Sequence, residues 1–494
     1  MADNIRTTPI RLRPSEHRAI LFTGDLIMAI VSLFAATETW SQYIQYKFAV
    51  EIAKNIAAGM SPERAQIFAE RVMNVGVNVQ PWFYFLPFIW LILLVELYEP
   101  HVAGSGRKTL RGIAIAAFVG LAAYSLVFIV RQDPNSLPRI GVGAFLFFAS
   151  ILTLVWRMIF IRIYKSTGQR RRILLVGAGR AGQTLAELYQ SMGTLSFNIV
   201  GYVDDDHEKT GKSFYGLPVL GPSAYLLEMI DVYRVSDLVV SISGEIEGAT
   251  FQSILDAQER GVSVTRMPIL YEEMTGRVPI HHLESDWIIR SFVDEVRISG
   301  FYDLFKRLVD IVGGIAGILI LTILVPFLSL AVAIDSGFPV FYSQLRLGRG
   351  GSKFRIYKFR SMRQKLDDKL DMQTTMENDP RVTRVGNFMR KTRLDELPQF
   401  WNVLRGDMSL VGPRAEIPQL VAEYQKQIPF YRARLLVKPG LTGWAQINYG
   451  YVASVTETGV KLEYDLYYIK HRTIVMDIQI ILRTIGTVVR RTGR

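Results

Sequence analysis

The 494-residue sequence predicts a membrane protein in three parts. These are an N-terminal four-helix transmembrane bundle, a Rossmann-like α/β domain, and a C-terminal α/β domain anchored by a re-entrant membrane helix hairpin. Three observations predict this. Four apolar stretches fill the first third, and a glycine-rich turn follows a short β-branched run at residue 173. A later uncharged run, 311–334, is broken by Pro326 and followed by a dense basic segment. The expected boundaries are 1–165, 166–295 and 296–494, with the hairpin at about 304–335.

The bulk composition agrees. Apolar residues make up 49% of the chain, yet the net charge is +12. That combination suits a membrane protein with basic cytoplasmic surfaces facing anionic lipid or phosphate. No zinc motif or compact basic unit points to nucleic acid. With no cysteine in the chain, disulfides, thiolate nucleophiles and cysteine-based metal sites are excluded. The start, with Arg6, Arg11, Arg13 and Arg18, runs into an apolar stretch without a small-residue cleavage site and is expected to be a retained anchor.

The four apolar stretches are 20–36, 82–98, 112–130 and 140–163. Each approaches the ~20 residues that cross a ~30 Å hydrocarbon layer. Asp25 within the first must be paired or shallow, and Trp82, Phe83 and Tyr84 suit an interfacial belt. Basic residues cluster before the first stretch, after the second (Arg107, Lys108, Arg111) and after the fourth (Arg162, Lys165, Arg170, Arg171, Arg172). The positive-inside rule therefore puts both the N-terminus and everything beyond the fourth stretch in the cytoplasm.

From Arg172 the pattern becomes that of a parallel, doubly wound sheet. Strand-like runs at 173–176, 198–203, 237–242 and 262–266 alternate with helical segments. Gly177, Gly179 and Gly182 follow the first strand and Asp204 ends the second, making them candidate nucleotide-binding residues. Adjacent His281 and His282 match no metal-ligand spacing and are expected at a surface or hinge.

The run 311–334 would reach roughly 36 Å as a helix, enough to cross a membrane. Crossing would export the segment 344–366, which holds eight basic residues and no acidic one. Pro326 also removes a helix hydrogen bond. A hairpin that returns to the cytoplasmic face satisfies both facts.

Beyond the basic segment come Arg390-Lys-Thr-Arg393-Leu-Asp395-Glu396-Leu-Pro398 and Gly406-Asp407-Met-Ser, then Gly412-Pro-Arg414. An isolated Asp-Glu pair before a proline commonly caps a helix. Its company here is a membrane anchor, clustered arginines, Asp407 and Arg414. That set suits phosphate chemistry, in which a carboxylate attacks phosphorus or holds Mg²⁺ and arginine forks neutralise phosphoryl oxygens.

Residues 300–494 resemble the bacterial sugar transferase family, the monotopic phosphoglycosyl transferases. The resemblance rests on Lys306-Arg307-x-x-Asp310, the Pro-broken run, Lys358-Phe-Arg360-Ser-Met and Leu394-Asp395-Glu396-Leu-Pro. Gly406-Asp407-Met-Ser, Gly412-Pro-Arg414 and Lys438-Pro-Gly440-Leu-Thr-Gly-Trp444 complete it. The added spans and Rossmann-like unit resemble the large form, which includes undecaprenyl-phosphate galactose and glucose phosphotransferases. The resemblance implies hexose-1-phosphate transfer from a UDP-sugar to polyprenyl (undecaprenyl) phosphate at the bacterial inner membrane, initiating exopolysaccharide, O-antigen or capsule assembly. It implies Asp395 as nucleophile, with Glu396 binding Mg²⁺ beside it or steering the acceptor's proton. Arg390 and Arg414 would hold phosphate, Lys306 and Arg307 would meet the lipid phosphate, and Asp407 joins the substrate-binding set. A homodimer in contact with membrane lipid is also implied. No dinucleotide is expected in the Rossmann-like domain.

Two other functions compete. An NAD-dependent dehydratase or epimerase would use the glycine loop and need a Tyr-x3-Lys pair, and downstream of the loop only Tyr302 and Lys306 have that spacing. A non-catalytic polysaccharide-export scaffold would not need Asp395, Glu396, Asp407 and Arg414 together.

Overall fold

A computed structural model describes residues 14–72, 80–98, 105–131, 139–166, 171–192, 197–283, 300–363, 381–450 and 454–489. The chain divides into two compact units, Met1–Arg170 and Arg171–Arg494.

The first unit is helical: α1 Pro14–Ala57, α2 Pro62–Val72, α3 Leu86–Leu93, α4 Gly106–Arg131 and α5 Arg139–Ser166. Of its described residues, Ala19–Ala57 and Arg139–Ile163 are long and apolar enough to cross a membrane. The expected second span is shorter: α3 is flanked by 3₁₀ turns at Pro81–Phe85 and Val95–Tyr98. Pro87 has no N–H to bond back one turn, so the α-helix starts beside it, at Leu86. Four segments share one apolar core, through Leu33 of α1, Trp90 of α3, Ile113 of α4 and Phe145 of α5. Within this unit Asp25 is paired. It is fully buried and accepts from Arg157 Nη2 at 2.6 Å and the Tyr98 hydroxyl at 2.8 Å. A lone carboxylate there would be prohibitively costly, so the pair explains the charge.

The second unit opens with β1 Arg171–Val176, α6 Arg180–Ser191 and β2 Phe197–Val203. There follow β3 Ser213–Phe214, β4 Leu217–Gly221, α7 Leu226–Tyr233, β5 Asp237–Val240, α8 Gly248–Glu259, β6 Ser263–Arg266 and α9 Met267–Thr275. The sheet order is β3-β4-β2-β1-β5-β6, parallel except for the β3–β4 hairpin. That hairpin has no counterpart among the expected strands. It is closed by Tyr215 and Gly216 at φ +48° and +71°, the left-handed pair of a tight two-residue turn.

α10 then runs unbroken from Gly300 to Ser336, with Pro326 inside it, and is the third helix long and apolar enough to cross. Gly313, Gly314 and Gly317 face the side chains of Leu410, Leu404 and Phe400, where any Cβ would overlap. These glycines let the C-terminal domain pack directly against the helix backbone. On either side of its uncharged run, α10 is bonded to that domain. Asp310 accepts from Ser409 Oγ (2.9 Å) and Leu410 N (2.8 Å), and Asp335 accepts from Val385 N (2.8 Å).

The rest of the chain comprises the antiparallel pair β7 Phe341–Leu347 and β8 Lys353–Phe359, then α11 Arg384–Thr392, the 3₁₀ turn Leu394–Gln399 and α12 Phe400–Arg405. Strands β9 Ser409–Val411 and β10 Gly440–Thr442 pair in parallel and flank α13 Pro418–Gln427. Helices α14 Trp444–Asn448, α15 Val455–His471 and α16 Ile474–Val489 complete the unit. Val278 and Ile280, which follow the Rossmann-like sheet, are buried in one cluster with Trp444, Leu462 and Leu466. The expected boundary at 295 itself lies outside the described residues.

Candidate active site

The turn that carries Asp395 and Glu396 is built from both sides. Thr383 caps α11 by accepting from Gly386 N at 2.9 Å. The helix ends at Arg393, whose φ of +55° turns the chain sharply into the 3₁₀ segment. Pro398 lies within that segment, and α12 follows at once. Neither carboxylate caps α12. Both are buried, at 8% and 7% exposure, so the pair is not a solvated helix terminus.

The two carboxylates have opposite surroundings. Glu396 Oε1 accepts from Lys358 Nζ at 2.7 Å and Arg414 Nη2 at 3.0 Å, while Oε2 accepts from Arg393 Nη1 at 3.3 Å. Burial opposes its charged form, but Lys358, Arg414 and Arg393 outweigh burial and hold Glu396 well below the usual carboxylate range. Asp395 accepts no hydrogen bond from the described residues. Burial first, and then the charge of Glu396, push it up to about 6, against the pull of Lys358, Arg390 and Arg414. Three of the cations around the pair, Lys358, Arg393 and Arg414, are thus bonded to Glu396. Above about pH 6 Asp395 is a desolvated carboxylate with no donor among the described residues.

Such a group can act as a nucleophile toward phosphorus, with Arg414 about one-third exposed beside it to meet phosphoryl oxygens. It also fits a divalent cation. Magnesium in phosphoryl-transfer sites takes one or two carboxylates and completes its shell with substrate phosphates and water. Asp395 meets that requirement. Glu396, engaged by three cations, does not, and no cluster of three acidic or histidine ligands occurs among the described residues.

The structure brings together Asp395, Glu396, Arg390 and Arg414 of the expected set, and adds Lys358 and Arg393. It places the others elsewhere. Lys306 is bound to Asp477 Oδ2 at 2.9 Å and to the Tyr468 hydroxyl at 3.1 Å. Arg307 donates to the carbonyls of Val403 and Leu404, capping α12. Asp407 pairs with Arg405 at 3.6 Å. Lys358 was hidden by its place in the basic run: on β8 it points at Glu396, a partner 38 residues away. Trp444 belongs to the core, and its indole donates to Gly276 O at 3.0 Å.

The glycine loop has the geometry its spacing predicts. Gly177 takes φ +107°, Gly179 faces open space, and a Cβ on Gly182 would overlap the Gly177 carbonyl. A cavity of about 540 Å³ opens over it, lined in part by Arg180, Lys209 and His282. Asp204, a candidate nucleotide-binding residue, accepts from Ala178 N (2.7 Å) and Lys209 Nζ (3.2 Å). Tyr302 and Lys306, the pair a dehydratase would need, are both tied to Asp477 on α16.

Comparison with known proteins agrees with the C-terminal site. The profile described as bacterial sugar transferase matches residues 301–491, and one described as CoA-binding domain matches 94–266. An Aeromonas hydrophila UDP-N-acetylgalactosamine-undecaprenyl-phosphate N-acetylgalactosaminephosphotransferase is 40% identical over 232 residues, 47% of this chain and 53% of that protein. The chain therefore spans about half the length of that relative. An Erwinia amylovora UDP-galactose-lipid carrier transferase is 32% identical over 66% of this chain and 69% of its own. A Xanthomonas campestris pv. campestris UDP-glucose:undecaprenyl-phosphate glucose-1-phosphate transferase is 29% identical over 80% and 84%. With a buried Asp-Glu pair ringed by cations and a relative matched over two-thirds of its length, the chain belongs to the bacterial sugar transferase family.

Proposed function

We propose that the protein transfers a hexose-1-phosphate from a UDP-sugar to undecaprenyl phosphate and releases UMP. The observation that carries this is the unequal carboxylate pair, Glu396 pinned by three cations and Asp395 buried beside it without a donor. In the first step an Asp395 oxygen attacks the sugar-bearing phosphorus. The bond from that phosphorus to the bridging oxygen breaks, and UMP leaves with the oxygen. An oxygen of the lipid phosphate then attacks the same phosphorus, the bond to Asp395 breaks, and the carboxylate is restored. Splitting the transfer means that the water-soluble donor and the lipid acceptor need not occupy the site together. Glu396 holds Lys358, Arg393 and Arg414 in place around the transferring group, where preformed charge is most effective. Magnesium, bound by Asp395 and the donor's diphosphate, would supply further neutralisation of phosphoryl charge.

We infer further that the first unit is a four-helix transmembrane bundle and that the catalytic domain lies on the cytoplasmic face of the bacterial inner membrane, with α10 returning to its side of origin. A straight helix from Asp310 to Asp335 would span roughly 37 Å. Both residues are nonetheless bonded to the C-terminal domain, which supports a same-side return. A homodimer is the assembly the family resemblance implies.

Membranes containing the protein should release UMP from at least one UDP-sugar in a panel. Incubation with that donor alone should leave a hexose-phosphate adduct on the peptide containing Asp395, and Asp395→Asn should abolish turnover without loss of expression. Near wild-type turnover by Asp395→Asn would overturn the mechanism. For topology, Ser213→Cys and Ser361→Cys should both be shielded from an impermeant thiol reagent in intact cells. Labelling of Ser361→Cys alone would mean that α10 crosses.

A further inference from the structure

Behind Arg414 lies a group of buried charges that the transfer steps do not use. Arg434, in the 3₁₀ turn Tyr431–Leu436, is 4% exposed. Its guanidinium meets Asp465 at 2.7 Å and Glu416 at 3.2 Å, and donates to the Tyr431 hydroxyl at 2.7 Å. The same Nη2 reaches the carbonyl oxygen of Arg414 at 3.2 Å. Lys461 completes the group, 2.8 Å from Glu416.

These contacts converge on one short stretch of backbone. The carbonyl of Arg414 is held by Arg434, that of Ala415 by Arg346 Nη1 at 3.1 Å, and that of Glu416 by Leu347 N at 3.0 Å. On the other side, Gly440 N donates to Pro413 O at 2.8 Å. Residues 413–416 are therefore fixed at every carbonyl, in an irregular segment between β9 and α13 whose strand pairing is the isolated bridge from Arg414 to Gly440.

Stability alone gives no reason for the arrangement. Buried ion groups carry a large desolvation cost, and well-packed apolar replacements are often neutral or stabilising. Specific orientation is a different matter. Arg414 is long and partly exposed, and must hold one reach toward Glu396 while facing substrate; Glu396 holds its tip, and its backbone is the other point anchored in advance. We propose that Arg434, with Asp465 and Glu416, is a positioning device for Arg414. It fixes the backbone from which that guanidinium meets Glu396 and the transferring phosphoryl group. This inference rests on the transferase function proposed above.

The test is a double-mutant cycle between Arg434 and Arg414, run on the full chain with a UDP-sugar that the wild type accepts. Arg434→Met should keep the wild-type elution profile while its melting midpoint falls, because Asp465 loses its buried partner. It should lower kcat/KM on the order of tenfold or more, dividing the loss between kcat and KM as Arg414→Met does. Arg434→Lys, which keeps charge but not the fork, should recover part of the loss. The double variant Arg414→Met/Arg434→Met should be no worse than Arg414→Met alone, because the second change acts only through the first. Losses that multiply in the double variant, or wild-type kinetics in folded Arg434→Met, would overturn the inference. Should Arg434→Met misfold, Arg434→Met/Asp465→Leu removes both charges, and the cycle is run from that background with the same criteria. Absence of UMP release by the wild type would sink the transferase proposal itself, a distinguishable result.

Discussion

Glu463 on α15 is 6% exposed where the C-terminal domain meets the segment that follows the Rossmann-like sheet. Its carboxylate accepts from the Tyr271 hydroxyl at 3.3 Å and lies 3.6 Å from Arg277, while its carbonyl accepts from Val278 N at 3.1 Å. Burial pushes the carboxyl up from an ordinary 4.5 to about 7, against Arg277, Tyr271 and the Ile280 N–H. The folded state therefore binds this proton more tightly than the unfolded state. Folding suffers no penalty below about pH 4.5; the penalty grows as pH rises and is complete above about 7. At 1.36 kcal/mol per pH unit the whole difference is roughly 3 kcal/mol, most of it falling between pH 5 and 8. Glu463→Gln keeps an acceptor for Tyr271 and Ile280 and removes the titration. Melting midpoints in one detergent at pH 5 and pH 8 should show the wild type losing stability relative to the variant as pH rises. All other groups are common to the two proteins and cancel in that comparison. Parallel pH dependence in the two proteins would refute the reasoning, because Glu463 would then be ionised in the fold at no cost.

The acid limb of the pH–rate profile for UMP release should fall near pH 6, where Asp395 gains its proton. Glu396→Gln should move that limb to lower pH, because the charge that raises Asp395 is gone, while reducing the maximal rate through loss of cation placement. Gly182→Ala should destabilise the Rossmann-like domain by about 1–3 kcal/mol, read as earlier proteolysis of that domain, because the new methyl group meets the Gly177 carbonyl. Arg157→Met should leave Asp25 unpaired at a cost of about 3–5 kcal/mol, while Asp25→Leu/Arg157→Met should recover much of it. Yield of monodisperse protein after extraction separates these outcomes.

Much of the fold was legible because its signals are local. The β-branched runs at 173–176 and 198–203 became β1 and β2 within two residues, and the glycine spacing gave three separate backbone roles. The apolar runs marked the long helices because hydropathy over about twenty residues is itself the physical determinant. The second apolar stretch shows the limit: its composition suited a span, while Pro87 and the preceding Pro81 mark a short 3₁₀ turn and a short helix in its place. The two-residue strand β3 was too short to show a period at all.

The residue types of the active site and the class of chemistry they can perform are legible in the chain, since Asp395, Glu396 and Arg414 sit in contiguous motifs. What each one touches depends on the folded arrangement. Lys358 was one of eight similar cations until β8 aimed it at Glu396, whereas Arg307 and Lys306, equally suggestive, were turned to α12 carbonyls and to Asp477. Asp204 closed onto its own glycine loop, and Asp25 found Arg157 across 132 residues. Such pairings depend on distance in space and on which charges share a dry environment. Burial is collective, so the difference between a donor-free Asp395 and a triply paired Glu396, adjacent in the chain, exists only once the fold has closed around them.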